Sequence, residues 1–179
     1  ARLASEAFRV GRTIDDLLEL SRLEVASGLS NERIEVAPFL AEAVDRVRPA
    51  AEQRDIEIEL EEAPGRISVV GERRQLVSAV TNLVDNAVKY SEKGSSVEVR
   101  ARTDGTWVDV IVRDHGIGIP RRDLERIFER FYRVDRARSR ETGGTGLGLA
   151  IVRHVASNHR GEVRVESREG TGSTFTLRL

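Results

Sequence analysis

The chain has 179 residues, of which 39% are hydrophobic and 33% are charged, and its formal net charge is -1. This length accommodates one domain with its own hydrophobic core and a small additional segment. The near-zero net charge provides no overall electrostatic attraction for nucleic acid. The absence of cysteine excludes disulfides and thiolate sites and fits a cytoplasmic compartment. No apolar run approaches the roughly 20 residues that span a bilayer, and the chain does not begin with Met, so we expect a soluble piece of a longer protein.

The first segment, residues 1–27, is predicted to be a helix whose apolar face packs against another helix or domain. Apolar residues recur at alternating spacings of four and three, at Leu3, Ala7, Val10, Ile14 and Leu17. This pattern fits either a terminal helix folded back on the domain or one helix of a dimerisation bundle, and the heptad spacing favours the bundle. Residues 28–35 are interpreted as a linker.

Residues 36–179 are predicted to form the main domain. Apolar stripes with a period near 3.6 predict helices over about 38–54, 72–90 and 147–159. Alternating apolar residues predict strands near 56–60, 67–70, 97–103, 107–114, 163 and 175–179. The sum is an α/β two-layer sandwich, in which the helices cover one face of a mixed sheet.

The helix over 72–90 carries a polar face. Asn82, Asn86, Lys89 and Tyr90 lie at i, i+4, i+7 and i+8, away from the apolar stripe of Leu76 and Leu83. A polar stripe of this kind is ordinarily solvated surface, so it carries a functional interpretation only together with other signals.

Asp114 ends a strand whose valines point inward, and it continues their register. A carboxylate directed at the core needs a partner. Gly116 and Gly118 follow directly and permit a tight turn and the approach of a flat ligand. Asp114 is therefore either an acceptor for an exocyclic amine such as that of adenine or the stabiliser of an Asx-turn.

The glycine-rich segment GGTGLGL, residues 143–149, opens a predicted helix. Backbone N–H groups and the helix dipole favour phosphate at such a place, and a flexible hinge is the alternative. The segment has neither the Lys of a Walker motif nor a preceding strand, which disfavours both common nucleotide-binding folds. Five arginines precede it, in a loop that either closes over a triphosphate or is an exposed polar lid: Arg130, Arg133, Arg136, Arg138 and Arg140.

Five motifs in order resemble the Asn, first Gly, Phe, second Gly and third Gly boxes of sensor histidine kinases of two-component systems. They are NLVDNAVKYS (82–91), DHGIGI (114–119), FERFYRVD (128–135), GGTGLGL (143–149) and GTGSTF (170–175). The resemblance implies the Bergerat ATP-binding fold and an ATP-dependent kinase. The N-terminal segment resembles the second helix of the family's dimerisation bundle. Its sequence is also similar to that of phosphate-responsive kinases of high-GC Gram-positive bacteria.

Residue roles follow from the resemblance alone. It implies that Asn86 ligates Mg²⁺, that Asn82 lies beside the phosphates, that Lys89 and Arg133 contact phosphate oxygens, and that Asp114 accepts from the adenine amine. The catalytic residues would be Asn82, Lys89 and Arg133. The full set expected to contact Mg-ATP is Asn82, Asn86, Lys89, Tyr90, Asp114, Gly116, Gly118, Ile119, Gly144, Thr145, Gly146, Leu147, Gly148 and Thr174.

Asn82 stands at a position where the type of residue distinguishes the enzyme classes that share this fold. The resemblance implies that ATPases and serine kinases of the fold place a Glu general base there, whereas an amide cannot accept a proton near neutral pH. We therefore expect phosphoryl transfer to an incoming histidine. The first alternative is a catalytically silent nucleotide-binding fragment, and the second, which Asn82 disfavours, is an ATPase or serine kinase of the same fold. His115, His154 and His159 lie outside any HExxTP-like motif, so the phosphoacceptor is expected on another helix of the parent, a membrane-anchored homodimer that phosphorylates a response regulator.

Overall fold

The computed structural model describes residues 2–25, 32–62, 65–134 and 144–179. Four helices of this part of the chain are α1 (Arg2–Val25), α2 (Val36–Gln53), α3 (Arg73–Tyr90) and α4 (Gly148–Asn158). Its strands are β1 (Glu32–Glu35), β2 (Glu57–Leu60), β3 (Ser68–Gly71), β4 (Ser96–Thr103), β5 (Val108–Asp114), β6 (Glu162–Arg168) and β7 (Gly172–Arg178). Two short 3-10 turns, Arg121–Asp123 and Arg126–Phe128, follow β5.

Five strands form one mixed sheet in the order β2-β4-β5-β7-β6. The β2 and β4 strands are parallel, and the other neighbours are antiparallel. Alternate residues of the central strands are buried on one face, including Val99, Val110, Val112 and Leu177. This alternation follows from the period of two along a strand, and it creates the apolar face that the helices cover.

Helices α2, α3 and α4 cover that apolar face, which confirms the predicted two-layer α/β sandwich. In α3 the predicted stripe is buried, with Leu76 and Leu83 fully inaccessible to solvent. The opposite side of α3 carries Asn82 and Asn86 at intermediate exposure. Burial of the stripe thus fixes the rotation of α3 and directs its polar face away from the sheet.

One strand of a second, two-stranded sheet lies within the segment that we expected as a linker. Residues 32–35 form β1, which pairs antiparallel with β3 from Glu32↔Gly71 to Glu35↔Ser68. The sequence ERIE has one apolar residue, Ile34, which is buried. Four residues with a single apolar side chain carry little strand signal, so the pairing with β3 decides the structure of this segment. Residues 28–31 of the predicted linker lie outside the described residues.

Helix α1 packs on α4 through its C-terminal part. Leu20 and Leu23 are buried there, and the Leu23 carbonyl accepts a hydrogen bond from Asn158 Nδ2 at 3.3 Å. Earlier residues of the apolar stripe, Val10 and Ile14, are each 51% exposed. The helix therefore folds back on the domain at one end and leaves most of its apolar stripe uncovered in the described chain.

Candidate functional site

A cavity of about 600 Å³ lies between the polar face of α3, the glycine turn after β5, the start of α4 and one side of α1. This volume is in the range of small-molecule sites. The cavity brings together most of the residues predicted from the sequence: Asn82, Asn86, Lys89, Tyr90, Asp114, Gly116, Gly118, Ile119, Arg133, Gly144, Thr145, Gly146 and Gly148.

Asp114 is the buried carboxylate of this cavity, with 5% exposure. Its Oδ1 accepts hydrogen bonds from the backbone amides of Gly116 at 2.9 Å and Ser173 at 3.2 Å. The first of these is the contact of an Asx-turn, the alternative role of Asp114. Burial raises the pKa of Asp114, and the two amide donors oppose that rise. A carboxylate has several lone pairs, so Asp114 keeps acceptor capacity for a donor in the cavity.

The glycine turn after Asp114 is wedged against the end of α3. A Cβ on Gly116 would lie 2.0 Å from the Tyr90 carbonyl oxygen, and the Ile117 amide donates to that oxygen at 3.2 Å. Gly118 has φ 66°, in the left-handed region, and a Cβ there would lie 2.1 Å from the Arg168 carbonyl oxygen. Both positions therefore require glycine, one for space and one for conformation as well.

Lys89 is the cation on the cavity face of α3. Its side chain is 11% exposed, and its ammonium group donates to Asp85 Oδ2 one helical turn earlier. Burial lowers the pKa of Lys89, and the charge of Asp85 opposes this effect. The cavity thus holds a largely desolvated cation, which binds anions more strongly than one in water.

The start of α4 closes one side of the cavity. The first amides of a helix have no intrahelical partners, and this end carries the positive end of the dipole. A Cβ on Gly148, its first residue, would lie 2.6 Å from Asn82 Oδ1, so the Asn82 side chain would have to move to accommodate it. Asn82 itself donates from Nδ2 to the Ser78 carbonyl at 3.1 Å. The glycine therefore lets the helix start approach α3 closely.

Residues on the two sides of positions 135–143 contact each other before α4 begins. The Phe131 amide donates to the Gly146 carbonyl at 2.9 Å, and both residues have positive φ, 61° and 76°. The Tyr132 hydroxyl donates to the buried Asp123 at 2.6 Å, and the Arg126 guanidinium lies 4.2 Å from the centre of the Tyr132 ring. Arg136, Arg138, Arg140 and Gly143 lie outside the described residues.

Two predicted residues do not line the cavity. Leu147 is fully buried in the core, one residue before α4. On β7 the cavity is lined by Ser173 and Phe175, whereas Thr174 lies between them on the other face of the sheet. Strand alternation accounts for the position of Thr174: Phe175 and Leu177 are apolar and buried, and their register points Ser173 inward.

The cavity also contains residues that sequence reasoning missed. Asp85 was detectable, because it lies three residues after Asn82 and four before Lys89 and so shares their face of α3. Arg12 and Asp16 of α1 line the cavity as well, and Asp16 accepts a hydrogen bond from the Thr145 hydroxyl at 2.6 Å. No local pattern indicates these two, since they come from the far end of the chain.

Within 2–25, 32–62, 65–134 and 144–179, no group of three or more His, Cys, Asp or Glu side chains is arranged to hold a metal ion. None of the described helices combines the length and apolar character that crossing a bilayer requires.

Comparison with known proteins gives the family. A family model described as histidine kinase-, DNA gyrase B-, and HSP90-like ATPase matches residues 71–179. The sensor-like histidine kinase SenX3 of Mycobacterium tuberculosis is 50% identical over 175 residues, covering 97% of this chain and 42% of that protein. The phosphate regulon sensor protein PhoR of Pseudomonas aeruginosa is 39% identical over 176 residues, covering 98% and 40%. The chain thus spans less than half the length of these curated relatives.

Solved structures agree with this assignment. The mycobacterial sensor histidine kinase MprB superposes with a TM-score of 0.72 and 32% identity, covering 83% of this chain and 96% of that one. Full-length ShkA in complex with AMPPNP superposes with a TM-score of 0.79 and 30% identity, covering 93% of this chain and 35% of that one. The chain therefore belongs to the histidine kinase-, DNA gyrase B- and HSP90-like ATPases, among the sensor histidine kinases of two-component systems.

Proposed function

We propose that the cavity binds Mg-ATP and that the chain transfers its γ-phosphoryl group to a histidine of a phosphoacceptor helix. One observation carries this proposal: a single cavity combines the buried carboxylate of Asp114 with the N-terminal turn of α4. The carboxylate suits the donor amine of adenine, and the helix start suits phosphate. These are the two chemically distinct ends of one nucleotide. The AMPPNP in the ShkA structure supports the same ligand class.

Asn86 is the residue that would hold Mg²⁺. The amide oxygen is a hard donor, and Mg²⁺ is typically bound by one or two protein ligands together with phosphate oxygens and water. The donor set fits, because Asn86 lies on the cavity face of α3 beside Lys89. When bound, the ion would neutralise charge that develops on the β- and γ-phosphate oxygens.

Lys89 and Arg133 would stabilise the transferred group. Both line the cavity. In the proposed reaction an imidazole nitrogen forms a bond to the γ-phosphorus, the bond to the β,γ-bridging oxygen breaks, and ADP leaves with the electron pair. Catalysis would then consist of positioning and charge stabilisation.

Asn82 argues against rapid hydrolysis or serine phosphorylation. Its amide cannot act as a general base near neutral pH. The structure places this amide against the start of α4, with its nitrogen donating to Ser78. A histidine acceptor brings its own nucleophilic nitrogen and needs no such base. We therefore assign the chain to phosphotransfer and not to ATP hydrolysis.

The partners of the whole protein belong to the same proposal. The uncovered apolar stripe of α1, with Val10 and Ile14, would form part of a homodimeric bundle that also carries the phosphoacceptor histidine. None of the three histidines of this chain lies in an HExxTP-like motif. A response regulator would receive the phosphoryl group on an aspartate, and this domain would be the cytoplasmic part of a membrane-anchored kinase.

Calorimetric titration with AMPPNP and Mg²⁺ tests the nucleotide site. We expect Asp114→Asn to lower the affinity about tenfold or more, because a buried hydrogen bond to a charged group contributes roughly 1.5–3 kcal/mol. Asp45→Asn is the matched control, since it removes the same charge from the exposed surface of α2. Equal affinities for wild type and Asp114→Asn would contradict the assigned adenine contact.

A transfer assay tests the reaction. The chain is incubated with γ-labelled ATP and a separate polypeptide that carries a sensor-kinase phosphoacceptor hairpin. We expect acid-labile, histidine-linked label on the hairpin and slow release of inorganic phosphate. Binding of ATP without any label transfer would support the silent nucleotide-binding alternative, and rapid phosphate release would support an ATPase.

A further inference from the structure

Asp85 is shared between two cations that belong to different parts of the fold. Its Oδ2 accepts from the ammonium group of Lys89 and lies 3.4 Å from Arg12 Nη2. The side chains of Lys89, Asp85 and Arg12 are 11%, 24% and 38% exposed. Lys89 is therefore the most desolvated member of the trio, and Arg12 is the most hydrated.

Lys89 faces two alternative anions. In the structure its counter-ion is Asp85, at i−4 on the same helix. The proposed function places nucleotide phosphate in the same cavity, which Asp85 also lines. One ammonium group cannot give its full attraction to both, and Asp85 also repels the phosphates directly. Asp85 thus opposes phosphate binding in proportion to its uncompensated charge.

Arg12, the second cation on Asp85, comes from α1 and compensates the charge that Lys89 leaves when it turns to phosphate. Four residues later on the same helix, Asp16 accepts from the Thr145 hydroxyl of the glycine segment at 2.6 Å. The i, i+4 spacing places Arg12 and Asp16 on one side of α1, which faces the cavity. Leu20 and Leu23 anchor the helix further along. The position of α1 on the domain therefore determines whether Arg12 reaches Asp85 as its second cation.

We propose that Asp85 is a positioning residue that competes with nucleotide phosphate for Lys89, and that Arg12 of α1 relieves this competition. The inference rests on the proposed function, because it needs phosphate in the cavity. It makes α1 a contributor to nucleotide affinity through charge, without a direct contact between Arg12 and the nucleotide. The phosphate group, and not the base, is the part of the ligand that senses Asp85.

A double-mutant cycle on AMPPNP affinity, measured by calorimetry with Mg²⁺, tests the inference. We expect Asp85→Asn to tighten binding and Arg12→Ala to weaken it, each roughly fivefold, the size of a partly exposed ion pair. In the Asp85→Asn background, Arg12→Ala should have no further effect. Arg22→Ala is the matched control, because it removes the same charge from the exposed part of α1 outside this cavity.

Adenosine is the second probe, since it lacks phosphate. The variants should change AMPPNP affinity and leave adenosine affinity unaltered, whereas a merely structural role of Asp85 would alter both. Weakening of AMPPNP binding by Arg12→Ala in both backgrounds would overturn the inference and indicate direct phosphate contact by Arg12. Failure of wild type to bind either probe would instead overturn the proposed function.

Discussion

The imidazole of His159 accepts a hydrogen bond at Nε2 from the backbone amide of Glu72, at 3.1 Å. Its Nδ1 lies 2.7 Å from the Val155 carbonyl, which only accepts, so Nδ1 carries the proton of a neutral ring. Glu72 is the N-cap of α3, the helix with the polar face. The end of α4 thus satisfies an amide at the start of α3, and a second proton on His159 would set donor against donor.

We predict that the free energy of unfolding decreases as the pH falls below about 6.5. Burial lowers the pKa of His159 below its usual 6.5. The unfolded chain therefore takes up a proton at this residue first, so stability is fully present above that pH and is lost toward the lower folded pKa. Urea unfolding between pH 8 and pH 5.5 measures this, and His159→Gln should flatten the slope relative to the exposed-histidine control His115→Gln. An unchanged slope in His159→Gln would contradict the assignment.

Two glycine-to-alanine substitutions should change the free energy of unfolding in opposite directions. Gly116→Ala places a methyl group 2.0 Å from the Tyr90 carbonyl oxygen, so the turn or the end of α3 must shift. We expect a loss of about 1–3 kcal/mol and weaker AMPPNP binding. Gly11→Ala, in the exposed interior of α1 with no atom within 4 Å of the new Cβ, should gain about 0.5–1 kcal/mol. Thermal and urea unfolding compare them, and a stable Gly116→Ala that binds normally would show that the contact is not restrictive.

Tyr132→Phe removes the hydroxyl that donates to Asp123, which is 7% exposed. The hydrogen bond raises the pKa of Tyr132, which keeps the phenol protonated as donor at all ordinary pH values. We expect the free energy of unfolding to decrease, because the buried Asp123 carboxylate loses the hydroxyl donor and keeps the exposed Arg122 guanidinium at 3.6 Å. Unfolding of Tyr132→Phe, Asp123→Asn and the double variant should be non-additive. Additive losses would mean that the two side chains act independently.

Asn86→Ala should show whether Asn86 supports nucleotide binding through Mg²⁺ or through direct contact with the nucleotide. We expect AMPPNP affinity to fall roughly tenfold in Mg²⁺ and to change little in EDTA, because the amide would act through the ion. Calorimetry in the two buffers provides the comparison, and each buffer serves as the control for the other. An equal loss in both would assign Asn86 a structural or direct nucleotide role.

Much of this site could be predicted because its signals are local. The period of 3.6 residues buried Leu76 and Leu83 and left Asn82 and Asn86 on the opposite side of α3. The period of two in β5 carried Asp114 into the interior at the strand end. The same alternation, continued back from Phe175, places Thr174 on the other face of the sheet.

The remaining features depended on how distant segments pack. Arg12 meets Asp85 across 73 residues, Glu72 meets His159 across 87, and Asp16 meets Thr145 across 129. The strand β1 exists through its pairing with β3 and has little propensity of its own. Backbone geometry sets which neighbours along a helix or strand share a face, so the sequence by itself determined the helices, the strands of the main sheet and the faces they present. The tertiary structure alone decided which faces meet. Burial of one common core brings α1 to the cavity, and no local sequence pattern encodes that contact.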